Sequence, residues 1–113
     1  MHEFSLMENI VSHVKSAAAE NGIAKVARFT VVVGAVSGVN IEALRFAFDM
    51  HQKAGDLLEA LMVIEQKPAP AVCRECGAPF ETRDYWPVCP KCGSLNVRVD
   101  GGNEFYLSEV EGE

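Results

Sequence analysis

Apolar side chains recur with a helical period near the start of the chain. Between Ser5 and Glu20 they fall three or four residues apart, so they share one face of a helix. Ser5 and Glu8 fit a capping box, in which both side chains satisfy backbone N–H groups at the helix start. Asn21-Gly22 is a typical helix end, because both residue types tolerate a left-handed backbone. The pattern predicts a helix from Ser5 to Glu20 that packs in the core.

The next apolar segments predict a strand, a helix and a second strand. Lys25–Val36 carries Val and Phe on both faces, which is typical of a central strand. Asn40 is placed to cap a helix over Ile41–Lys53. Asp56–Ala60 is expected to add a short turn of helix. Leu61–Glu65 then has the composition of a second strand.

The C-terminal part of the chain predicts short strands. Pro68 and Pro70 are expected to end the second strand and to open a separate segment. Short strands are predicted over Phe80–Tyr85 and Val97–Val99, and a last one over Glu104–Val110. The acidic residues after it are expected to fray. Because the last strand can return to the first sheet, the segment before it is interpreted as an insertion.

The length and composition indicate one core domain with a small additional module. The chain has 113 residues, and 49% of them are hydrophobic, which is enough for a core without oligomerisation. The longest apolar run is too short to cross a bilayer. The N-terminal sequence lacks the pattern of a secretory signal. We therefore expect a cytoplasmic protein without a membrane partner.

The distribution of charge argues against nucleic acid as a partner. The formal net charge is −6 at pH 7. Residues 1–72 carry −2, residues 73–100 are neutral, and residues 101–113 carry −4. Proteins that bind nucleic acid generally present a basic stripe, because neutralising phosphates supplies much of the affinity. No such stripe is present, so we expect no nucleic-acid partner.

All four cysteines fall in two C-x2-C pairs. Cys73 and Cys76 form the first pair, and Cys89 and Cys92 form the second after twelve intervening residues. Each pair is followed directly by glycine, which permits the tight turn that wraps a metal ion. Four thiolates that converge in this way suit a tetrahedral Zn(II) ion. The spacing predicts a structural zinc site.

Other uses of these cysteines fit the sequence less well. Two disulfides would require an oxidising compartment, for which the chain shows no export signal. A thioredoxin-type redox pair needs one C-x-x-C motif rather than two. An iron-tetrathiolate centre of the rubredoxin type uses similar turns and remains an open alternative.

These observations together predict an α+β fold. Two helices pack on a small sheet of about three strands, and a zinc-ribbon module is inserted before the last strand. The predicted boundaries place residues 1–70 and 101–113 in the α+β domain. Residues 71–100 form the predicted zinc-binding domain.

The first three residues have the chemistry of a second metal site. The α-amine of Met1, the backbone nitrogen of His2 and its imidazole can close two adjacent chelate rings on one metal ion. Donor sets of nitrogen atoms in a tetragonal arrangement suit Ni(II) and Cu(II), and Glu3 adds a carboxylate. His13 and His51 are expected to be solvated or hydrogen-bonded rather than ligands. By itself the N-terminal motif is weak, because many chains can begin with Met-His.

Three features in combination are more specific. The N-terminal Met1-His2-Glu3-x-Ser5 motif, the segment VVVGAVSGVNIEALRFAFD and the C-x2-C-x12-C-x2-C block occur in this order along the chain. In this combination the chain resembles the HypA/HybF family of hydrogenase nickel-incorporation proteins. The resemblance covers essentially the whole chain.

The resemblance implies a function and a set of ligands. It makes His2 the Ni(II) ligand, supported by the amino-terminal nitrogen of Met1 and by Glu3, and makes residues 1–70 with 101–113 the nickel-binding domain. The four cysteines would hold structural Zn(II). One further position after the first strand can be acidic in the family, whereas Asn40 lies there in this chain.

The resemblance also implies partners and a role. These partners are a HypB-type GTPase, the precursor of the [NiFe] hydrogenase large subunit and, in some organisms, urease maturation proteins. We expect no enzymatic activity, since the sequence shows no nucleophile–base pair, paired carboxylates or phosphate loop. The alternative function is a zinc-ribbon interaction adaptor without a transferable metal.

Overall fold

The computed structural model describes residues 3–113, which form two helices and six strands. The helices are α1 (Glu3–Glu20) and α2 (Ile41–Lys53), and neither is long and apolar enough to cross a membrane. The predicted α+β class is confirmed, with one three-stranded sheet in the order β2-β1-β6 and a second in the order β4-β3-β5. The strands are β1 (Val26–Gly34), β2 (Leu61–Lys67), β3 (Ala69–Cys73), β4 (Pro79–Thr82), β5 (Val97–Val99) and β6 (Phe105–Gly112).

The chain forms two compact units. The first contains the described residues up to Val32 together with Val39–Glu65 and Tyr106–Glu113. The second contains Val33–Gly38 and Gln66–Phe105. Both helices belong to the first unit, and all four cysteines belong to the second. The assignment of nickel to one domain and zinc to the other stays a prediction.

The core of the first unit lies between the helices and β1. Phe29 of β1 is fully buried, and its ring meets that of Phe48 of α2 edge to face, with centroids 5.1 Å apart. Burying a side chain of this size stabilises a fold by roughly 1.5–3 kcal/mol. The buried positions of α1 recur every three or four residues, as the apolar pattern predicts: Met7, Ile10, Val11, Val14 and Ala18.

The two helix starts differ in how well they are predicted. The prediction for α2 is confirmed, since it begins at Ile41 and Asn40 caps it: the side-chain oxygen of Asn40 accepts a hydrogen bond from the N–H of Ala43. The predicted Ser5 cap of α1 is wrong, because the helix already begins at Glu3. An acidic residue in a first turn is favourable there, because it interacts with the positive end of the helix dipole.

The segment after α2 is a turn rather than the short helix predicted over residues 56–60. Leu57 and Glu59 have φ angles of 46° and 66°, in the left-handed region that residues with side chains seldom adopt. The side-chain amide of Gln52 donates hydrogen bonds to the carbonyl oxygens of Leu57 and Ala60, at 3.0 and 2.9 Å. These bonds hold the strained turn against α2.

The last strand returns to the first sheet, as predicted, and β1 is central there. The prediction that the acidic tail frays is wrong, because β6 continues to Gly112. Lys25 and Glu113 exchange two backbone hydrogen bonds, at 2.8 and 3.0 Å. Arg28 also donates from Nε to the carboxylate of Glu111 at 2.8 Å. Lys25 and Arg28, which hold the tail, are far from it in the sequence, so the local pattern of the tail does not reveal them.

The second sheet contains a strand, β3, that the sequence analysis did not predict. The two prolines were expected to end the second strand, and β2 does end at Lys67, but β3 begins at Ala69 and contains Pro70. Proline removes only its own N–H, and the carbonyl of Pro70 still accepts a hydrogen bond from Asp100 at 2.9 Å. β4 ends at Thr82, earlier than predicted, whereas β5 has its predicted bounds. β3 is the central strand of this sheet and leads directly into the first cysteine.

Candidate metal centre

Each cysteine pair lies in a tight turn of the same geometry. The N–H of Gly77 donates to the carbonyl oxygen of Cys73, and the N–H of Gly93 donates to that of Cys89, both at 2.9 Å. Both glycines have a φ angle of 76°. This left-handed conformation favours glycine because it has no Cβ atom. The glycine after each C-x2-C motif is therefore required by the turn itself.

The two turns bring the four sulfur atoms together. The Sγ atoms of Cys73, Cys76, Cys89 and Cys92 all lie within 4.8 Å of one another. Two sulfur–sulfur contacts cross between the turns, at 3.5 Å for Cys73 and Cys92 and 3.7 Å for Cys76 and Cys89. A disulfide needs about 2.05 Å, so these are free thiols. A zinc ion with Zn–S distances of 2.3 Å would set the sulfurs about 3.8 Å apart, and the observed arrangement fits it.

The protein environment acts differently on the individual thiols. The N–H of Cys76 donates to the sulfur of Cys73 at 3.4 Å, and this bond is the main cause that lowers the pKa of Cys73 to about 6. The N–H of Cys92 likewise lowers the pKa of Cys89. The N–H of Ser94 lowers the pKa of Cys92, but the sulfur of Cys73, burial and the other cysteines outweigh it and raise this pKa to about 12. Four thiolates at this spacing therefore require a cation.

The site is closed by its own ligands. Cys73 and Cys89 are buried, each with 1% of its surface exposed, whereas Cys76 and Cys92 are exposed. Within residues 3–113, these four side chains are the one group of three or more potential ligands that converge. A complete set of four thiolates leaves no open coordination position for a substrate. The residues fit a structural metal site, as the spacing predicts.

The residues predicted to bind nickel are only partly described. Met1 and His2 lie outside the described residues, so their assignment stays a prediction. Glu3 is the first residue of α1, and its Oε2 atom accepts a hydrogen bond from the backbone N–H of Asn40 at 3.1 Å. Sequence reasoning missed this contact because 37 positions separate the two residues. The one available signal is an acidic residue near the start of a helix.

The other two histidines have the roles expected for them. His13 is exposed on α1. His51 Nδ1 lies 3.1 Å from Oδ2 of Asp56, whose carboxylate also forms an ion pair with Lys15. Hydrogen bonds from Lys15 and then His51 hold the pKa of Asp56 below its usual value. This cluster connects α1, α2 and the turn after α2.

Comparison with known proteins places the chain in a family. The HypA family model, described as hydrogenase/urease nickel incorporation, metallochaperone, matches residues 1–112. The hydrogenase maturation factor HypA of Moorella thermoacetica is 40% identical over 113 residues, covering 100% of both chains. That of Rhodobacter capsulatus is 38% identical over 112 residues, covering 98% of both.

A solved structure gives the same result. The solution structure of the Ni metallochaperone HypA from Helicobacter pylori matches with a TM-score of 0.65 and 27% sequence identity. The match covers 99% of this chain and 97% of that one. The resemblance inferred from the sequence motifs is therefore confirmed along the whole chain, and the protein belongs to the HypA family of nickel-incorporation metallochaperones.

Proposed function

We propose that this protein is a nickel metallochaperone that binds Ni(II) at its N-terminus and delivers it during maturation of [NiFe] hydrogenase. The observation that carries the proposal is the family match over residues 1–112. Relatives that align with the full chain are named hydrogenase maturation factors, and the similar solved structure is named as a Ni metallochaperone. The four-cysteine site is complete in itself, so the transferable metal needs a separate set of donors.

The proposed nickel donors are the α-amine of Met1 and the backbone nitrogen and imidazole of His2. Glu3 adds a carboxylate beside them in the sequence. Nitrogen donors in this arrangement suit Ni(II). Protons compete with the metal for the amine and the imidazole, so the site holds nickel at neutral pH and releases it as the donors are protonated. Such a site can both select nickel and pass it on.

The proposed resident metal is Zn(II), held by Cys73, Cys76, Cys89 and Cys92. The ion would neutralise the mutual repulsion of the thiolates and join the two turns. Metal analysis of the purified protein tests this assignment. Zinc is expected in the colourless protein, whereas iron and the colour of an iron-tetrathiolate centre would overturn it.

The proposed partners follow from the family. They are a HypB-type GTPase, the [NiFe] hydrogenase large-subunit precursor and urease maturation proteins, and the proposed site of action is the cytoplasm. The protein would act by docking and metal transfer rather than by catalysis. No bond in a substrate has to be made or broken for nickel delivery.

A nickel titration tests the proposed function. Ni(II) is added to protein with its native N-terminus, to His2→Ala and to a variant extended before Met1. We expect both changes to weaken nickel binding strongly, whereas His13→Ala, which alters an exposed histidine of α1, should bind like the unmodified protein. Equal affinity for Ni(II) in all four proteins would overturn the assignment of the nickel site to the N-terminus. Retained zinc with no nickel binding in any of them would support the adaptor function.

A further inference from the structure

β6 is an edge strand with an open side. Within residues 3–113 it pairs with β1 alone, because the first sheet has the order β2-β1-β6. In an antiparallel ladder, every second residue turns its N–H and C=O away from the paired strand, so an edge strand presents unpaired backbone groups. β6 has eight residues and no proline. The edge strands of the second sheet are better protected, since β4 contains Pro79 and β5 has only three residues.

A groove of about 410 Å³ lies beside β6. Four consecutive residues of the strand, Leu107–Val110, form one wall of it, and the end of α1 with the residues that follow forms the other. All of these residues belong to the first unit. Proteins that bind a peptide by strand addition combine a free sheet edge with pockets for alternate side chains. The groove has apolar surface for such side chains, supplied by Ala17, Ile23, Leu107 and Val110.

The charge around the groove favours a basic partner. Glu109 lines the groove, and none of the described residues that line it is basic. Glu20 is exposed at the end of α1, directly before Asn21, which also lines the groove. Neither carboxylate forms an ion pair within residues 3–113. Unpaired carboxylates attract cationic side chains of a partner and repel acidic ones.

We propose that the edge of β6 is a docking site for an extended segment of a partner protein in which apolar and basic residues alternate. The segment adds to β6 as a further strand, its apolar side chains contact the groove, and its basic side chains pair with Glu109 and Glu20. A second copy of this chain is a poorer occupant, because β6 carries two acidic residues and no basic one, and two such strands would repel each other. The proposal goes beyond the proposed nickel function and does not depend on it.

An NMR titration of the full-length protein, with zinc supplied, tests the proposal. The probe is a six-residue peptide of alternating valine and lysine, blocked at both ends. We expect shift changes concentrated at Leu107–Val110 and at the end of α1, and slower hydrogen exchange of the β6 amides. The same peptide with glutamate in place of lysine should bind at least about tenfold more weakly, because its charges are repelled.

Two methylated peptides test whether the backbone pairs. In one the nitrogen atoms of all valines are methylated, and in the other those of all lysines. Because alternate residues of a strand turn their N–H groups to opposite edges, each peptide has one blocked edge and one free edge. Strand addition to β6 uses a single edge, so we expect one of these peptides to lose binding and the other to retain it.

A matched pair of variants tests the surface. Glu109→Lys reverses the charge at the groove, whereas Glu65→Lys makes the same change at an exposed position of β2, the opposite edge of the same sheet. The lysine peptide should bind about tenfold more weakly to Glu109→Lys and within about threefold of the unmodified protein to Glu65→Lys. Ala17→Leu adds apolar volume to the groove without a change of charge, and it should also weaken binding. This second variant keeps the test decisive where Glu109→Lys does not fold.

Several results would overturn the proposal. They are equal affinity for the lysine and glutamate peptides, equal affinity for the two methylated peptides, and no shift change at Leu107–Val110 with millimolar lysine peptide. Sedimentation that shows a dimer of the unmodified protein, with the β6 amides already protected, would assign this edge to a second copy and overturn the proposal as well. None of these measurements involves nickel, so failure of the proposed nickel function shows separately, in the titration of His2→Ala.

Discussion

The sulfur atoms of Cys73 and Cys92 lie 3.5 Å apart, although they belong to different C-x2-C turns. The sulfurs of Cys76 and Cys89 make the equivalent contact at 3.7 Å. Each turn is closed by its own backbone hydrogen bond, from Gly77 in one case and Gly93 in the other. Thiolates brought this close repel one another unless a cation lies between them, so the closed arrangement should depend on the bound metal.

Cys76→Ser tests this dependence. Loss of one thiolate should release most of the zinc and unfold the second unit, because metal binding supplies folding free energy at such sites. Zinc content and the NMR spectrum of the β3–β5 region report the two effects. Glu75→Gln, which alters an exposed side chain in the same turn, should retain both zinc and fold. A folded, zinc-free Cys76→Ser protein would show that the fold does not need the metal.

The Asp56 cluster predicts a pH-dependent contribution to stability. Lys15 and His51 lower the pKa of Asp56, so its ionised form is stabilised by folding. This contribution is complete above the unfolded-state pKa, near 4, and is lost as the pH falls through the lower folded-state value. At pH 7, Asp56→Asn should therefore unfold more easily by about 1 kcal/mol.

The measurement is the melting temperature between pH 7 and pH 3. The difference between the unmodified protein and Asp56→Asn should narrow as the pH falls below about 4. Asp49→Asn, which removes an exposed carboxylate of α2, is the control. Its melting temperature should differ little from that of the unmodified protein at each pH. A difference for Asp56→Asn that stays constant over this range would contradict the proposed linkage.

Gly34 is predicted to be intolerant of any side chain. A Cβ atom there would lie 2.2 Å from the carbonyl oxygen of Gly102 and 2.4 Å from Oε1 of Glu104. The Gly102 contact is with backbone and cannot be relieved by a change of rotamer. Gly34→Ala should therefore destabilise the protein by about 1–3 kcal/mol in denaturant unfolding.

Gly38→Ala is the comparison for this prediction. Gly38 has a φ angle of 79°, but a Cβ atom there would meet nothing within 4 Å. Its substitution adds backbone strain without a clash, and the expected cost is about 1 kcal/mol. A smaller loss for Gly34→Ala than for Gly38→Ala would contradict the proposed close packing.

The strained turn after α2 predicts that glycine is tolerated better than alanine at position 59. Glu59 has a φ angle of 66°, which glycine adopts without steric cost. Its carboxylate also forms an ion pair with Lys25, at 2.6 Å, but both side chains are exposed. Glu59→Gly and Glu59→Ala both lose this ion pair, and only the first relieves the strain. The melting temperature of Glu59→Gly should therefore be the higher of the two, and the reverse order would show that the turn is unstrained.

The predictions that succeeded rest on local chemistry. Asn40 and the apolar period after it defined α2 because a helix and its cap involve neighbours in the sequence. The pairs of cysteines followed by glycine predicted that the four thiols converge, since each turn is a five-residue unit. In both cases, the residues that determine the structure are close together in the chain.

The predictions that failed involve partners that are distant in the sequence. Ser5 has the pattern of a cap, yet α1 begins at Glu3, whose carboxylate binds Asn40. The acidic tail has the composition of a frayed end, yet Glu113 pairs with Lys25. β3 was missed because Pro68 and Pro70 suggested a break, although Pro70 removes only one N–H from a strand that pairs with both β4 and β5.

The sequence by itself determined the helix over Ile41–Lys53, the central position of β1, the convergence of four thiol ligands and the family of the protein. These features depend on periodicity and on motifs of fixed spacing. Only the tertiary structure decided which sulfurs make contact between the two turns, how the C-terminal residues are held, and that Glu3 accepts a hydrogen bond from the N–H of Asn40. Each of these is a contact between residues far apart in the chain, and such a contact exists only after the helices and sheets have packed.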